Sequence, residues 1–289
     1  SRGFPTEVHK TVTEDGYILS LHRISNNLGK PPVLIMHGLL AASDLWVVMK
    51  PEFSLPFILA DAGYDVWLAD GRGNAYSKSH VQYSTKEKKF WDFTFHESGI
   101  YDIPAFIDYV LNSTGFKQLF YIGHSMGTTV FLVMASTRPE YNSKIKAAAL
   151  LAPVATVPKE KYWGSLTKIS LNISENTYRT LMRNRVYEML PRSVNLVKSV
   201  QTTCRRTPNV CFSALKHSMG ENRKNWDLKN AAHYFSYFPA GTSVKTVHHI
   251  MQVFKQGKYF IHNQSIFLIP TESSSYRFVA GTNYLDSSR

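Results

Sequence analysis

The chain has 289 residues, a hydrophobic fraction of 44% and a net charge of +12, which are values of a globular protein long enough to bury a large core. No apolar run is long enough to cross a bilayer, because the longest, residues 147–157, is too short and contains Pro153. No nucleic-acid recognition motif accompanies the positive charge, so nucleic-acid binding is not predicted. One α/β domain with an inserted cap and two separate domains both fit this length.

The first half of the chain alternates short apolar strands with helical segments. Residues 11–13 and 17–24 alternate as strands around the turn Glu14-Asp15-Gly16, which predicts a hairpin. Further strands are predicted at 33–36, 64–69, 119–122 and 147–151, and a helix is predicted at 100–111. This alternation predicts a mostly parallel sheet with helices on both faces.

A pentapeptide of the form Gly-x-Ser-x-Gly, residues 123–127, lies between the strand at 119–122 and a predicted helix at 128–136. Such a tight strand-to-helix turn holds its serine in a strained conformation with the hydroxyl exposed. Glycine is needed two positions to either side, because a Cβ there would strike the neighbouring strand or helix. The placement predicts that Ser125 is a nucleophile, with an ordinary turn as the alternative.

A serine nucleophile also needs donors for the oxyanion that forms on its substrate. One candidate is the backbone N–H of Met126, at the start of the helix that follows Ser125. The other is the N–H of Leu39, in the loop His37-Gly38-Leu39 directly after the strand at 33–36. We interpret His37 as a structural histidine rather than a catalytic one.

From about residue 154 to 239 the strand pattern stops, and apolar residues recur at helical spacing at 166–173 and 194–200. We interpret this segment as a helical cap over the carboxyl edge of the sheet, where α/β folds place their active sites. The predicted division is a core at 1–153, the cap at 154–239 and a return to the core at 240–289. In the last part, a helix is predicted after residues 240–243, and strands at 265–269 and 277–280.

Sequons and cysteines favour a secretory route. The sequons begin at Asn112, Asn172 and Asn263. Cys204 and Cys211 are the only cysteines; they form a small disulfide loop or are two free thiols, and they are too few for a metal site. Because the chain starts at Ser1 rather than Met, we expect it to be processed or incomplete.

Taken together, the motifs resemble those of the acid lipase family, the group of gastric lipase and lysosomal acid lipase, which are α/β-hydrolases with a helical cap. The resemblance covers roughly residues 3–257. It rests on EDGYIL at 14–19, HGLL at 37–40, RGNAYS at 72–77, FWDF at 90–93, GHSMGTT at 123–129, LAPVA at 151–155 and PAGTS at 239–243.

The resemblance implies that Ser125 is the nucleophile and that Leu39 and Met126 form the oxyanion hole. It also implies that Cys204 and Cys211 form a disulfide in the cap. The implied reaction is hydrolysis of triacylglycerols or sterol esters through an acyl-serine intermediate, with no metal and no cofactor. The expected partners are a neutral lipid and the lipid–water interface, and the expected location is secreted or lysosomal.

Near its carboxyl end the chain departs from the family pattern, in which an Asp follows a late strand and a His comes after it. Asn283 stands where the carboxylate is expected, and Asp286, three residues later, is the remaining candidate acid. No His follows Asp286, because His262 is the last histidine of the chain. We interpret His248 and His249, on a predicted helix, as surface or packing residues.

The catalytic histidine is therefore not identifiable from the sequence, and we expect the chain to be a truncated or mis-spliced copy of an active lipase. Two hypotheses remain: a lipid esterase, or a lipid-binding relative that kept the fold and lost the triad. Between residues 157 and 230, fourteen Lys or Arg stand against five Asp or Glu. The cap is therefore also predicted to favour an anionic lipid surface.

Overall fold

A computed structural model describes residues 3–25, 29–154, 174–209, 213, 231–256, 260–261, 264–265 and 278–281. In these ranges the strands are β1 (Thr6–Val12), β2 (Tyr17–Ile24), β3 (Pro32–Met36), β4 (Asp65–Asp70), β5 (Ser79–His80), β6 (Leu119–His124), β7 (Ile145–Leu151), β8 (Glu188–Met189), β9 (Thr242–Ser243), β10 (Phe260–Ile261), β11 (Gln264–Ser265) and β12 (Phe278–Gly281). The helices are α1 (Leu55–Asp61), α2 (Phe95–Glu97), α3 (Ile103–Thr114), α4 (Met126–Thr137), α5 (Glu175–Arg183), α6 (Val194–Arg206), α7 (Ala231–Tyr234) and α8 (Val244–Gln256).

One sheet has the strand order β1-β2-β4-β3-β6-β7-β12, with β5 paired to β2. β4, β3, β6, β7 and β12 pair in parallel, whereas β1 and β2 form the predicted antiparallel hairpin at one end. The prediction of a mostly parallel sheet is confirmed. Because the parallel strands point the same way, the loops after β3, β4, β6 and β7 meet at one edge.

Helices cover both faces of this sheet because its central strands are apolar on both sides. In β3, Leu34 and Met36 belong to a buried cluster that includes side chains of α3 and α4. The alternate residues Val33 and Ile35 belong to a second cluster, which includes Phe57 of α1. The period of two along β3 thus divides one strand between two cores.

The helix predicted at 100–111 begins differently in the structure. Residues Ser98–Asp102 form a π-helical turn, and the α-helix starts at Ile103. Pro104 has no N–H to donate to the carbonyl of Ile100, so a regular α-helical bond is impossible there. The side chain of Arg138 donates to that carbonyl instead, at 3.0 Å.

The described part of the predicted cap contains α5, β8, α6 and α7, and α6 confirms the helix predicted at 194–200. The helix predicted at 166–173 lies outside the described residues. α8 confirms the helix predicted after 240–243, and β12 confirms the strand predicted at 277–280. Of the strand predicted at 265–269, only residue 265 is described, as the end of β11. The boundaries at 153 and 239 remain a prediction.

Ion pairs fasten β8 and the residues after it to loops of the sheet. Arg192 donates to Asp44, with 2.6 Å between Nη1 and Oδ2, and also to the carbonyl of Tyr237. Lys78 pairs with Glu188 of β8, which in turn is antiparallel to β9. None of the helices in the described ranges combines the length and the hydropathy of a membrane-spanning helix.

Candidate active site

Ser125 lies at the carboxyl edge of the sheet, between β6 and α4, with φ 52° and ψ −117°. A left-handed φ at a non-glycine residue is strained and is typical of functional sites. Its N–H donates to the carbonyl of Leu151 at 2.9 Å, which ties the turn to the end of β7. The strained turn predicted for Ser125 is therefore present.

The two glycines of the pentapeptide allow this turn to pack closely. A Cβ at Gly127 would lie 2.6 Å from the carbonyl oxygen of Met36, and a Cβ at Gly123 would lie 2.7 Å from that of Gly127. Both distances are far below a normal contact and involve backbone atoms, so neither clash is relieved by a side-chain rotation. These distances confirm the predicted reason for glycine at both positions, which is that a Cβ there would strike the neighbouring strand or helix.

The loop after β3 lies against Ser125. A Cβ at Gly38 would be 3.2 Å from the Cβ of Ser125, so the backbone of the loop approaches Ser125 closely. Leu40 has φ 58°, and its carbonyl accepts a hydrogen bond from the N–H of Ala240 at 2.7 Å. Met126 is the first residue of α4, where a backbone N–H has no intrahelical acceptor. The roles of Leu39 and Met126 as oxyanion donors remain predictions.

His37 holds this loop in place and is buried. Its Nδ1 donates to the carbonyl of Gly38 at 2.8 Å, while its Nε2 accepts from the N–H of Gly71 and from Asn74, both at 3.1 Å. These bonds require the tautomer with the proton on Nδ1. Both ring nitrogens are occupied, as expected of a structural histidine.

Asp70, at the end of β4, is the buried carboxylate of the same network. It accepts from the N–H and the hydroxyl of Ser43 at 2.9 and 2.7 Å, and from Asn74 at 2.8 Å. Burial raises the pKa of Asp70, but the imidazole of His22, 3.3 Å away, and the hydrogen bonds from Ser43 outweigh it, so the pKa lies below its usual value. The charged carboxylate therefore links the loop after β4 to the loop after β3.

A second buried network surrounds Arg72. Its Nε donates to Asp102 at 2.7 Å, and its Nη1 and Nη2 donate to Asp15 at 2.6 and 2.9 Å. The guanidinium also lies 4.1 Å from the ring centroid of Tyr17. Burial raises the pKa of Asp102, and the charge of Arg72 opposes that rise. Arg72 was part of a motif used for the resemblance, and the structure gives it a structural role that the sequence did not reveal.

Several predicted site residues lie outside the described residues: Cys211, Asn172, Asn263, His262, Asn283 and Asp286. Cys204 is buried in α6 and is disulfide-bonded, but its pairing with Cys211 remains a prediction. Asn112 is exposed in the last turn of α3, and its use as a sequon also remains a prediction.

Among the described residues, no histidine ring is hydrogen-bonded to the hydroxyl of Ser125. His248 stacks on Tyr178 at 4.3 Å and lies 3.2 Å from Glu175, and His249 stacks on Phe95 at 4.5 Å. Both have the packing role that was expected. β12 is parallel to β7 with Gly281 opposite Leu151, so the chain after Gly281 starts at the same edge as Ser125.

The strand order, the turn at Ser125 and the loop beside it define an α/β-hydrolase. The family model for the alpha/beta hydrolase fold matches residues 31–188, and a partial alpha/beta-hydrolase lipase region matches residues 1–50. Among solved structures, a crystal structure of a Sulfolobus solfataricus protein shares the fold at a TM-score of 0.61 and 16% identity, covering 83% of this chain and 73% of the other.

Curated relatives are more similar in sequence. Lipase 1 of Drosophila melanogaster is 40% identical over 266 residues, which are 91% of this chain and 58% of the relative. Gastric triacylglycerol lipase of Bos taurus is also 40% identical, over 89% of this chain and 66% of the relative. Lipase 3 of Drosophila melanogaster is 39% identical over 95% of this chain and 71% of the relative. The chain belongs to the acid lipase family of the α/β-hydrolases. It spans 58% to 66% of the length of the first two of these relatives.

Proposed function

We propose that this protein is a serine ester hydrolase that acts on neutral lipids, either triacylglycerols or sterol esters. The observation that carries this proposal is the strained Ser125 at the carboxyl edge of the sheet, with the loop of Gly38 packed against it. A hydroxyl held in such a turn is presented to a substrate rather than buried in the turn itself. The curated relatives whose names describe lipases support the same reaction class.

In the proposed reaction the Ser125 hydroxyl attacks the ester carbonyl and loses its proton to a general base. The carbonyl oxygen becomes an oxyanion, which the N–H groups of Leu39 and Met126 stabilise. The alcohol leaves, and water then hydrolyses the acyl-serine intermediate. We propose that the acid orienting the base is Asp286, because the chain after Gly281 starts at the edge that carries Ser125.

An apolar surface next to the site supports a lipid substrate. Leu39 packs against Val244 and Val247 of α8, together with side chains of α5 and β8. The partly buried members of this cluster are Leu39, Tyr178, Leu181, Met182 and Met189. An acyl chain whose ester carbonyl reaches Leu39 would therefore lie on apolar side chains. The likeness to gastric and lysosomal acid lipases supports a secreted or lysosomal location.

A fluorophosphonate tests the proposal directly, since it modifies only an activated serine. We expect mass spectrometry to find the phosphonyl group on Ser125 and on no other serine, and Ser125→Ala to remain unmodified. Hydrolysis of tributyrin or a short-chain cholesteryl ester measured in parallel identifies the substrate class. Modification of another serine, with Ser125 unreacted, would refute the assigned nucleophile.

A catalytically inactive lipid-binding protein is the second candidate function. The observation that favours it is the apolar cluster around Leu39, because these side chains would hold an acyl chain whether or not its ester is cleaved. An absence of both labelling and hydrolysis, combined with saturable binding of a fluorescent fatty-acyl ester, would identify this function instead.

We also propose that the region around α6 contacts a lipid–water interface and favours anionic lipid. Val186, Leu190 and Val194 are 42%, 44% and 68% exposed, although each is apolar. Arg205 and Arg206 are exposed in the last turn of α6. A basic residue near an anionic surface contributes about 1 kcal/mol, and salt screens this attraction.

Replacing Arg205 and Arg206 with Ser is expected to weaken binding to vesicles that contain anionic lipid by about 2 kcal/mol, or roughly 30-fold, at low salt. Binding to neutral vesicles should change little, because the apolar side chains remain. Co-sedimentation with both vesicle types at low and high salt measures this effect.

Lys117→Ser with Lys146→Ser is the matched control for this experiment. It removes the same charge from exposed positions at the amino ends of β6 and β7, the edge opposite to Ser125. The control should bind anionic vesicles as the wild type does. Equal losses in both double variants would mean that net charge, not this surface, determines binding.

A further inference from the structure

The segment that follows β7 is fastened to the first turn of α4. Leu151 accepts from the N–H of Ser125 at 2.9 Å, and the N–H of Val154 donates to the hydroxyl of Thr128, also at 2.9 Å. The carbonyl of Val154 accepts from the hydroxyl of Thr129 at 3.0 Å. Between these anchors Ala152 has φ 47°, which is strained for a residue other than glycine. The hydrogen bonds of Leu151 and Val154, on either side of Ala152, hold the segment in this conformation.

The hydroxyl of Thr128 has a second bond, and its direction follows from the first. Because its oxygen accepts from Val154, its hydrogen is free to donate to the carbonyl of Ser125, 2.6 Å away. The N–H of Thr128 donates to the same carbonyl at 2.9 Å. Thr128 is completely buried, so water does not replace either bond.

The carbonyl of Ser125 and the N–H of Met126 belong to one peptide group, which is planar. The N–H and the hydroxyl of Thr128 both donate to the carbonyl of this peptide group and therefore fix its orientation. The N–H of Met126 points in the opposite direction from that carbonyl, toward the proposed oxyanion. Without the hydroxyl, one of these donors is lost, and so is the hydrogen bond that the N–H of Val154 donates to it. The peptide of Ser125 and the segment after β7 then lose their common anchor.

We propose that Thr128 is a positioning residue for the oxyanion donor Met126, and that it couples this donor to the segment leading toward the predicted cap. This inference rests on the proposed hydrolase function. It assigns a role to a side chain that touches no substrate and acts only through the peptide group of Ser125 and Met126.

Thr128→Val tests the proposal because it keeps the shape of the side chain and removes the hydroxyl. We expect kcat for p-nitrophenyl butyrate to fall about 10-fold or more, less than the loss of a whole oxyanion donor, with KM within about 2-fold. Thr128→Ser should restore kcat to within about 3-fold of the wild type. Thr129→Val, which removes only the bond to the Val154 carbonyl, is the matched control and should lower kcat less than Thr128→Val.

Amide hydrogen exchange supplies a readout that does not depend on activity. In Thr128→Val the amides of Val154 and Ser125, whose N–H groups are hydrogen-bonded in this network, are expected to exchange at least 10-fold faster than in the wild type, and in Thr128→Ser at the wild-type rate. Should Thr128→Val not fold, Thr128→Ala repeats both measurements with a smaller side chain.

The outcomes separate the two proposals. A wild type with neither turnover nor labelling of Ser125 would refute the hydrolase function, and amide exchange alone would then decide the anchoring role of Thr128. Wild-type kcat or unchanged exchange in a folded Thr128→Val would overturn the inference, as would a loss in Thr128→Ser equal to that in Thr128→Val.

Discussion

Replacing Ser125 with Ala is expected to lower the turnover of a short-chain ester by about 10⁴-fold or more. The nucleophile and its base act as a unit, so removing the hydroxyl eliminates the acyl-serine route and leaves only the residual effect of binding and of the oxyanion donors. KM should change little, because the hydroxyl contributes to the reaction rather than to binding of the acyl chain. Steady-state hydrolysis of p-nitrophenyl butyrate measures both quantities.

Ser136→Ala is the matched control, since it makes the same chemical change in α4, the helix that directly follows Ser125. Ser136 is exposed and donates only to the carbonyls of Leu132 and Val133. It should retain the turnover and the thermal stability of the wild type. Wild-type turnover in Ser125→Ala would assign the reaction to another group and would contradict the proposed nucleophile.

Replacing Arg72 with Met is expected to lower the free energy of unfolding by about 3 to 5 kcal/mol. Both Arg72 and Asp102 have side chains with 0% exposure, so the substitution leaves the charge of Asp102 buried without its partner. Methionine fills much of the space that the Arg72 side chain occupies. The loss of stability therefore comes mainly from the unpaired charge of Asp102. Chemical denaturation at neutral pH measures the free energy of unfolding.

Arg23→Met is the matched control for burial. Arg23 also forms a two-bond contact with a carboxylate, at 2.8 and 2.9 Å to Asp65, and its guanidinium also lies over an aromatic ring, that of Trp67. The side chains of Arg23 and Asp65 are 21% and 12% exposed, so water partly replaces the lost partner. We expect a loss of about 1 kcal/mol or less. Equal losses in the two variants would show that burial is not the determinant.

The pH dependence of Arg72→Met has a defined sign. Burial already raises the pKa of Asp102 above its value in the unfolded chain, and the loss of Arg72 raises it further. The folded state then binds more protons than the unfolded state between these two pKa values, so stability increases as the pH falls through this window. The stability lost by Arg72→Met at pH 7 should therefore be partly regained toward pH 4.5, whereas Arg23→Met should show no such recovery.

The sequence by itself determined the features that depend on neighbouring residues. The alternation of β1 and β2, the apolar runs of β3 and β6 and the glycines around Ser125 are local patterns, and each predicted its element correctly. A two-residue period or a glycine in a tight turn is fixed by sterics within a few residues. The strained turn at Ser125 is therefore predictable from the sequence without knowledge of its surroundings.

Features that depend on distant partners were decided only by the tertiary structure. Arg72 meets Asp15 and Asp102, which are 57 and 30 positions away, and Arg192 meets Asp44 across 148 positions. From the sequence alone such residues are recognised only as charged, and most charged side chains are exposed to solvent. The carbonyl of Ile100, which Pro104 leaves without an intrahelical donor, likewise accepts from Arg138, 38 positions away.

The role of Thr128 depends both on a local sequence pattern and on a contact with a distant residue. Its position directly after the nucleophile turn is visible in the sequence, but its role depends on Val154, 26 positions away. A threonine in the first turn of a helix is unremarkable until the segment after β7 brings an N–H to its hydroxyl. The sequence determined that Ser125 is held in a strained turn, and the tertiary structure decided what holds it, because hydrogen bonds between buried groups form only where the fold brings those groups together.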